Sequence, residues 1–293
     1  MKGKKKLVGG KSRYLFLLPG LLIYICIIVV PAFYSLFLSL FSWNGVSPVK
    51  TFVGVKNYID IVTKDPVFWV ALKNNLVWIV LTFVFTIPTA LLFALTINRK
   101  FIGRTFVRGI FYFPYILSGI TVAIIWSWVY HPQLGMYVNV MQKMNLPQFA
   151  KAWLADPKVA FYAVYVAGFW HVVGQPMILF LSGLQTIPVE MTEAASIDGA
   201  NKWQNFVHIT LPMLKETTFI VIATQIIQSL KIYDIIQGMT GGGPAQKTHT
   251  LATWMVTQTF TFNNIGTGTA MAWILVFVCM IVVIPYVAAT AKD

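Results

Sequence analysis

Acidic side chains are scarce in this chain. It has nine Asp and Glu among 293 residues, against 22 Lys and Arg, with two cysteines and four histidines. Charged residues make up 11% of the chain and hydrophobic ones 57%. Each shortage excludes something. A soluble domain needs a charged surface that this composition cannot supply. Cys26 and Cys279 both lie inside hydrophobic runs, where they read as packing residues, not a disulfide framework. His131, His171, His208 and His249 are scattered, with no ligand spacing to a carboxylate or cysteine, so no metal site is expected. No serine lies in a nucleophile elbow. The nearest approach to a Walker A loop is GGGPAQKT, Gly241–Thr248, but Gln246 stands where the second glycine belongs. The glycine run reads as a tight turn. The chain is therefore expected to be no enzyme and to bind no cofactor itself. Its net charge of +13 is spread over tails and loops between apolar runs. That pattern fits a membrane protein held against anionic lipid better than a nucleic-acid binder.

What the chain has in abundance is long apolar stretches. A membrane-spanning helix needs about 20 such residues, and six segments qualify: Tyr14–Phe41, Leu72–Ile97, Val107–Tyr130, Val159–Leu184, Met213–Gln237 and Thr269–Ala291. The first is too long for a signal-peptide core and no small-residue cleavage site follows it, so it reads as a retained helix. Orientation follows from Lys and Arg. The tail carries Lys2, Lys4, Lys5, Lys6, Lys11 and Arg13, and the second-to-third connection Arg99, Lys100, Arg104 and Arg108. The fourth-to-fifth connection adds Lys202 and Lys215, and the C-terminus Lys292. The other connections are longer in total and hold fewer: Lys50, Lys56, Lys64, Lys73, Lys143, Lys151, Lys158 and Lys247. The expected fold is an all-α integral membrane protein with six transmembrane helices and both termini cytoplasmic. The chain divides into a basic tail (1–13), a first helix with an extracytoplasmic segment (14–71) and a core of five helices (72–293). Trp43, Trp126 and Trp128 read as aromatic anchors at the outer interface.

One connection stands apart. TEAASIDGANKWQNFVHITLP, Thr192 to Pro212, holds two of the nine acids between small residues and lies on the cytoplasmic side of this topology. Locally it reads as two short helices. Pro188 suits a helix start, and Glu190 and Glu193 suit the early turns, where the helix dipole favours acids. Thr192, Ala195 and Ser196 share a face that another chain could approach closely. Gly199 breaks the helix. Asn201 and Gln204 have capping-box spacing for a second helix, which carries an apolar stripe of Trp203, Phe206 and Val207. The residues alone leave open an ordinary amphipathic helix pair joining two spans.

The spacing Glu193-Ala194-Ala195, then Gly199, then Ile209-x-Leu211-Pro212 resembles the EAA loop of ABC-importer permeases, and every position of that pattern fits. MTGGGP, Met239–Pro244, resembles the Gly-rich turn after the fifth helix in permeases of oligosaccharide importers, and LSGLQTIP before the loop also fits. The resemblance covers most of the chain from FLLPG at Phe16–Gly20 onward. It implies the type I ABC importer permease fold, with segment 188–212 docking in a cleft of a cytoplasmic ATPase. Glu193 would pair there with a basic group and Asp198 would belong to the same coupling surface. Gly199 would allow the turn, and Trp203 and Phe206 would anchor the support helix against the transmembrane bundle. The implied partners are a second homologous permease, two ATPase subunits carrying ATP and magnesium, and an extracytoplasmic sugar-binding protein. The implied location is a prokaryotic plasma or inner membrane.

Polar groups at bilayer depth are costly and mark function. Gln225, Gln228 and Ser229 fall at i, i+3, i+4 near the middle of the fifth span. His171 and Gln175 share a face at the same depth of the fourth, and Tyr115 lies near the middle of the third. Amides, hydroxyls, an imidazole and aromatics suit a sugar; the same residues could equally bond between helices as packing glue. By the resemblance, these positions fall on the sugar-contacting positions of the maltose importer's larger permease subunit, with mostly different residue types, which leaves the sugar unnamed. Lys231 and Asp234 read as a structural pair nearer the outer interface, more than as a proton relay. No Arg or Lys is expected at mid-depth, which disfavours a phosphorylated solute such as glycerol-3-phosphate. An ATP-independent carrier or channel would leave the EAA spacing unexplained.

Overall fold

The computed structural model describes residues 10–99, 101–146 and 151–290. Of the cations that set the expected orientation, Lys2, Lys4, Lys5, Lys6, Lys100 and Lys292 lie outside them, as does most of the basic tail. The chain divides into two units. The smaller holds the described residues up to Ile61 together with Met255–Ile274; the larger holds Val62–Trp254 and the described residues from Leu275 onward.

In the smaller unit, helix α1 (Leu17–Leu38) leads into a two-residue hairpin. Strands β1 (Phe41–Ser42) and β2 (Thr51–Phe52) run antiparallel, with Phe41 opposite Phe52. The Asn57 Nδ2 donates to the carbonyls of Ser39 (2.7 Å) and Phe41 (2.9 Å), satisfying the frayed end of α1. Trp273 Nε1 donates to Ser35 Oγ at 3.1 Å.

The larger unit begins with α2 (Pro66–Asn98). Asp65 caps it, its Oδ1 accepting from the amides of Val67 (2.9 Å) and Phe68 (3.2 Å), with Pro66 in the first turn. Next come α3 (Arg104–Ile116) and α4 (Gly119–Val129), bent by 99° at the two residues between them. Pro114 ends α3, Leu117 is extended, and the Ser118 hydroxyl caps α4 by accepting from Thr121 N at 3.2 Å. Helix α5 (Ala160–Gln185) is unbroken in direction. Then follow α6 (Val189–Ile197) and α7 (Lys202–Met213), and α8 (Lys215–Leu230) turns away from α7 by 67°. A short α9 (Asp234–Met239) comes next, and α10 (Ile265–Ala288) starts in the smaller unit and ends in the larger.

Helices α1, α2, α5 and α10 are each long and apolar enough to cross a membrane unbroken; α3 with α4, and α7 with α8, qualify only as bent pairs. The third and fifth expected spans are thus each two helices. The fifth was expected to run through Gln237, but helix stops at Leu230 and resumes at Asp234, which takes Lys231 and Asp234 off a common helical face. Three π turns, Ile25–Val29, Thr82–Thr86 and Phe206–Thr210, each end two residues before a proline: Pro31, Pro88 and Pro212. A proline lacks the N–H for the carbonyl four residues back and clashes with it, and a widened turn relieves both problems without ending the helix.

Two apolar clusters stack along α2 and α5. One joins Ile87, Ala90, Ala94 and Ile97 to Val173, Met177, Phe180 and Leu181, with Val221 of α8. The other joins Trp78 to Val122 and Ala123 of α4, Phe161, Val164 and Tyr165 of α5, and Ile235 and Ile236 of α9. Both cysteines are free thiols.

Candidate functional site

Between the two apolar clusters in sequence, α2, α5 and α8 carry their polar residues: Thr82 and Thr86, His171, and Gln225, Gln228 and Ser229. Thr86 Oγ1 and Tyr165 OH lie 2.9 Å apart, and Thr82 Oγ1 and Ser229 Oγ 3.5 Å apart. Buried polar groups must find partners, and here they find them on other helices. Gly174 lets this happen: a Cβ there would stand 2.5 Å from the carbonyl oxygen of Phe111, so only glycine allows α5 to cross α3 this closely. The crossing puts His171 beside Tyr115, with ring centroids 6.2 Å apart. The His171 Nε2 lies 3.0 Å from the carbonyl of Leu117, a group set free by the bend between α3 and α4.

A cavity of about 270 Å³ opens there. Tyr115, His171, Gln225, Gln228 and Ser229 all line it, beside Trp78. Gln175, the sixth residue singled out from the sequence, touches it through a partner: Gln225 Nε2 donates to Gln175 Oε1 at 2.8 Å. Within this group the roles differ. Gln225 and Ser229 are 2% and 3% exposed, and the Ser229 hydroxyl donates back to the Gln225 carbonyl at 2.7 Å. Both are engaged in the chain itself. Gln228 is half-buried and lines the cavity, and among the described residues its side chain makes no hydrogen bond.

From the sequence, Lys231 and Asp234 are expected outside the site, as a structural pair, and Asn74 and Asn75 are not singled out. Lys231 and Asp234 line this same cavity, so its walls are not uniformly neutral as expected. Asn75, 0% exposed, holds the broken end of α8: its Nδ2 donates to the carbonyls of Ser229 (2.8 Å) and Leu230 (3.2 Å), and its Oδ1 accepts from Leu251 N (2.9 Å). Its neighbour Asn74 donates to the carbonyls of Lys247 and His249, both at 2.8 Å, fixing the Gly-rich turn. Two adjacent amides inside an apolar run were the available signal. In that turn Gly241 and Gly242 have φ of +57° and +91°, and the His249 ring occupies the space a Gly242 side chain would need. Burial pushes the His249 pKa down to about 4, with nearby Asp65 opposing the shift.

The loop at 188–212 is built locally. Asn201 and Gln204 form the reciprocal capping box that their spacing predicts, at 2.8 and 2.9 Å. Gly199 adopts φ +84°, its amide donates to the Ser196 carbonyl at 3.2 Å, and no atom lies within 4 Å of where a Cβ would stand. Asn205 Nδ2 donates to Thr192 O at 3.2 Å and braces α7 against α6. No residue of α6 is buried; Glu193, Ala194 and Asp198 are exposed, and Ala195 is half-buried. Apolar Ile197 stands 86% exposed. Among the described residues Trp203, expected as an anchor, makes little contact with the helices behind it. Trp203 is 70% exposed, and among the described residues its ring meets that of Phe206 at a tilt, with centroids 5.7 Å apart. Both rings border an open cavity of about 680 Å³ that reaches Leu92 and Leu95 on α2. The anchoring role was implied by the family resemblance; Phe206 is half-buried and Trp203 exposed at the edge of this cavity.

Apolar helices around a cavity that gathers polar and charged side chains, with an exposed helix–glycine–helix loop at one connection, fit a membrane transport subunit. The chain belongs to the family described as binding-protein-dependent transport system inner membrane component, whose profile matches residues 86–291. It is 34% identical over 91% of each chain to the probable ABC transporter permease protein YurN of Bacillus subtilis. It is 33% identical over 98% of each chain to the multiple sugar-binding transport system permease protein MsmF of Streptococcus mutans. Its fold matches a chain in the crystal structure of a bacterial ABC transporter that imports the acidic polysaccharide alginate. The TM-score is 0.83 at 21% identity, over 96% of this chain and 95% of that one.

Proposed function

We propose that this chain is one of two permease subunits of an ATP-driven saccharide importer. In this reading it crosses the membrane six times, counting each bent pair as one span, with both termini and the 188–212 loop in the cytoplasm. It forms half of the translocation path and hydrolyses no ATP itself. ATP and magnesium belong to two partner ATPases, and an extracytoplasmic binding protein delivers the sugar. The name of the Streptococcus mutans relative supports a sugar as cargo. The observation that carries the coupling role is the loop itself. Glu193, Ala194, Ala195, Asp198 and Gly199 form an exposed helix and turn braced by a capped second helix, and this chain covers neither Ile197 nor Trp203. Exposed apolar side chains on a rigid projection are what a docking partner would cover. The sugar role rests on the cavity lined by Tyr115, His171, Gln225, Gln228 and Ser229 and backed by Gln175.

The test is purification from the native host followed by reconstitution. Co-purification of two ATPase copies and a second permease is expected, with sugar uptake that requires both ATP and the binding protein. Uptake independent of ATP would replace this reading with a carrier. Topology is checked separately by single cysteines at Asn201 and Gln246, which should react with an impermeant thiol reagent from opposite sides. Reaction of both from one side would overturn the six-span arrangement.

A further inference from the structure

Charged side chains at membrane depth are costly and are normally paired. Lys231 and Asp234 are opposite in sign and line one cavity with Gln228 and His171. Yet among the described residues neither side chain makes a hydrogen bond or ion pair; the Lys231 backbone amide donates to the Ile227 carbonyl at 3.1 Å. The non-helical stretch 231–233 separates them, so they do not meet across a helical turn. Asp234 is also held in place. It opens α9, and α9 packs on α4 through small residues at matched four-residue spacing. A Cβ on Gly119 would fall 2.6 Å from the Asp234 Cβ, and one on Gly238 2.5 Å from the Ala123 Cβ. Backbones this close fix the position of the carboxylate at the cavity wall.

Two opposite charges left unpaired in one cavity define a ligand chemistry. A carboxylate only accepts hydrogen bonds and can take two hydroxyl hydrogens from adjacent carbons, whereas an ammonium only donates. A hydroxyl does both. An uncharged polyol therefore satisfies both groups at once, through charge-assisted bonds that are the stronger kind. A sugar acid would satisfy Lys231 and be repelled by Asp234. We infer that Lys231 and Asp234 are specificity-determining groups of the translocation cavity and that they make it a site for uncharged saccharides carrying adjacent hydroxyls. This rests on the saccharide reading above and narrows it.

The complete importer, reconstituted in proteoliposomes with internal MgATP and saturating binding protein, is offered maltose, trehalose, cellobiose, raffinose and the anionic digalacturonate as labelled probes. At least one neutral probe should enter and digalacturonate should not. For that neutral probe, Asp234→Asn and Lys231→Gln should each lower the uptake rate about tenfold, the loss of one charge-assisted bond. ATP hydrolysis stimulated by the binding protein should stay within twofold, and the thermal midpoint should not move. Asp234→Glu should recover part of the rate. Asp234 follows the cap position Tyr233 and makes no capping hydrogen bond, so a purely structural Asp234 would lose only a weak dipole interaction in Asp234→Asn and would tolerate it. Unchanged neutral uptake in both variants, or uptake that falls only in step with thermal stability, would overturn the inference. Uptake of digalacturonate in place of the neutral probes would overturn it while leaving the saccharide reading standing. Uptake of none of the five would remove the saccharide reading and the inference together.

Discussion

The 188–212 loop and the cavity are built in opposite ways. The loop is contiguous, its hydrogen bonds join residues three or four apart or at most 13, and its first helix buries nothing. The cavity takes side chains from α2, α3, α5 and α8, the break after α8 and the start of α9. Its defining bonds join residues 50, 54 and 154 apart. A surface that acts on a partner needs only local shape and exposure. A site that must shelter polar groups from lipid needs partners from several helices, because no single helix can satisfy them.

This difference can be broken experimentally, and the largest effect is expected at the loop. Gly199→Val should abolish sugar uptake, by about a hundredfold or more, while the protein still inserts and keeps its thermal midpoint. A β-branched residue at φ +84° distorts only the local turn, since no neighbour lies within 4 Å. Glu193→Lys should do the same by reversing an exposed charge. Normal uptake in both variants would remove the coupling role.

In the cavity, Gln228→Leu should lower uptake by about one to two decades with little loss of stability, following the roughly 1–3 kcal/mol of an unmet polar group. Gln225→Leu should lower uptake and stability together, because it leaves Gln175 Oε1 without its donor. Uptake and thermal unfolding measured on the same preparations separate the two. Equal behaviour of the pair would mean that the division between facing the cavity and packing is drawn in the wrong place.

Asn75→Leu should act on stability first. It removes three buried hydrogen bonds that tie α2 to the end of α8 and to Leu251, at a cost of about 4 kcal/mol. Denaturation in detergent reads this directly, and an unchanged midpoint would show that the break after α8 is held by other contacts.

The smallest effect is linked to pH. The folded His249 has its pKa depressed to about 4, against about 6.5 unfolded. Above about pH 6.5 both states are neutral and the histidine contributes no pH dependence. As pH falls towards about 4 the unfolded chain takes up a proton that the folded chain refuses, so stability should decline by up to about 3 kcal/mol and then level off. His249→Gln should flatten that part of the curve. An equal slope in the variant would assign the acid sensitivity to other groups.

The amino-acid sequence by itself determined the solvent, the number of apolar segments and the design of the loop. These depend on composition, on run length and on hydrogen bonds between near neighbours: the capping box of Asn201 and Gln204 and the turn at Gly199 stand where their spacing put them. Of the six polar residues it brought to notice, five line the cavity, because a polar side chain in an apolar run is conspicuous wherever it ends up. Tertiary structure decided the rest. The bend after α3 and the break after α8 are held by neighbours that satisfy freed carbonyls, His171 for Leu117 and Asn75 for Ser229. The same break turned Lys231 and Asp234 from an expected pair on one helix into separate walls of a cavity. Helical periodicity assumes that a helix continues, and whether it continues is settled by the helices packed around it.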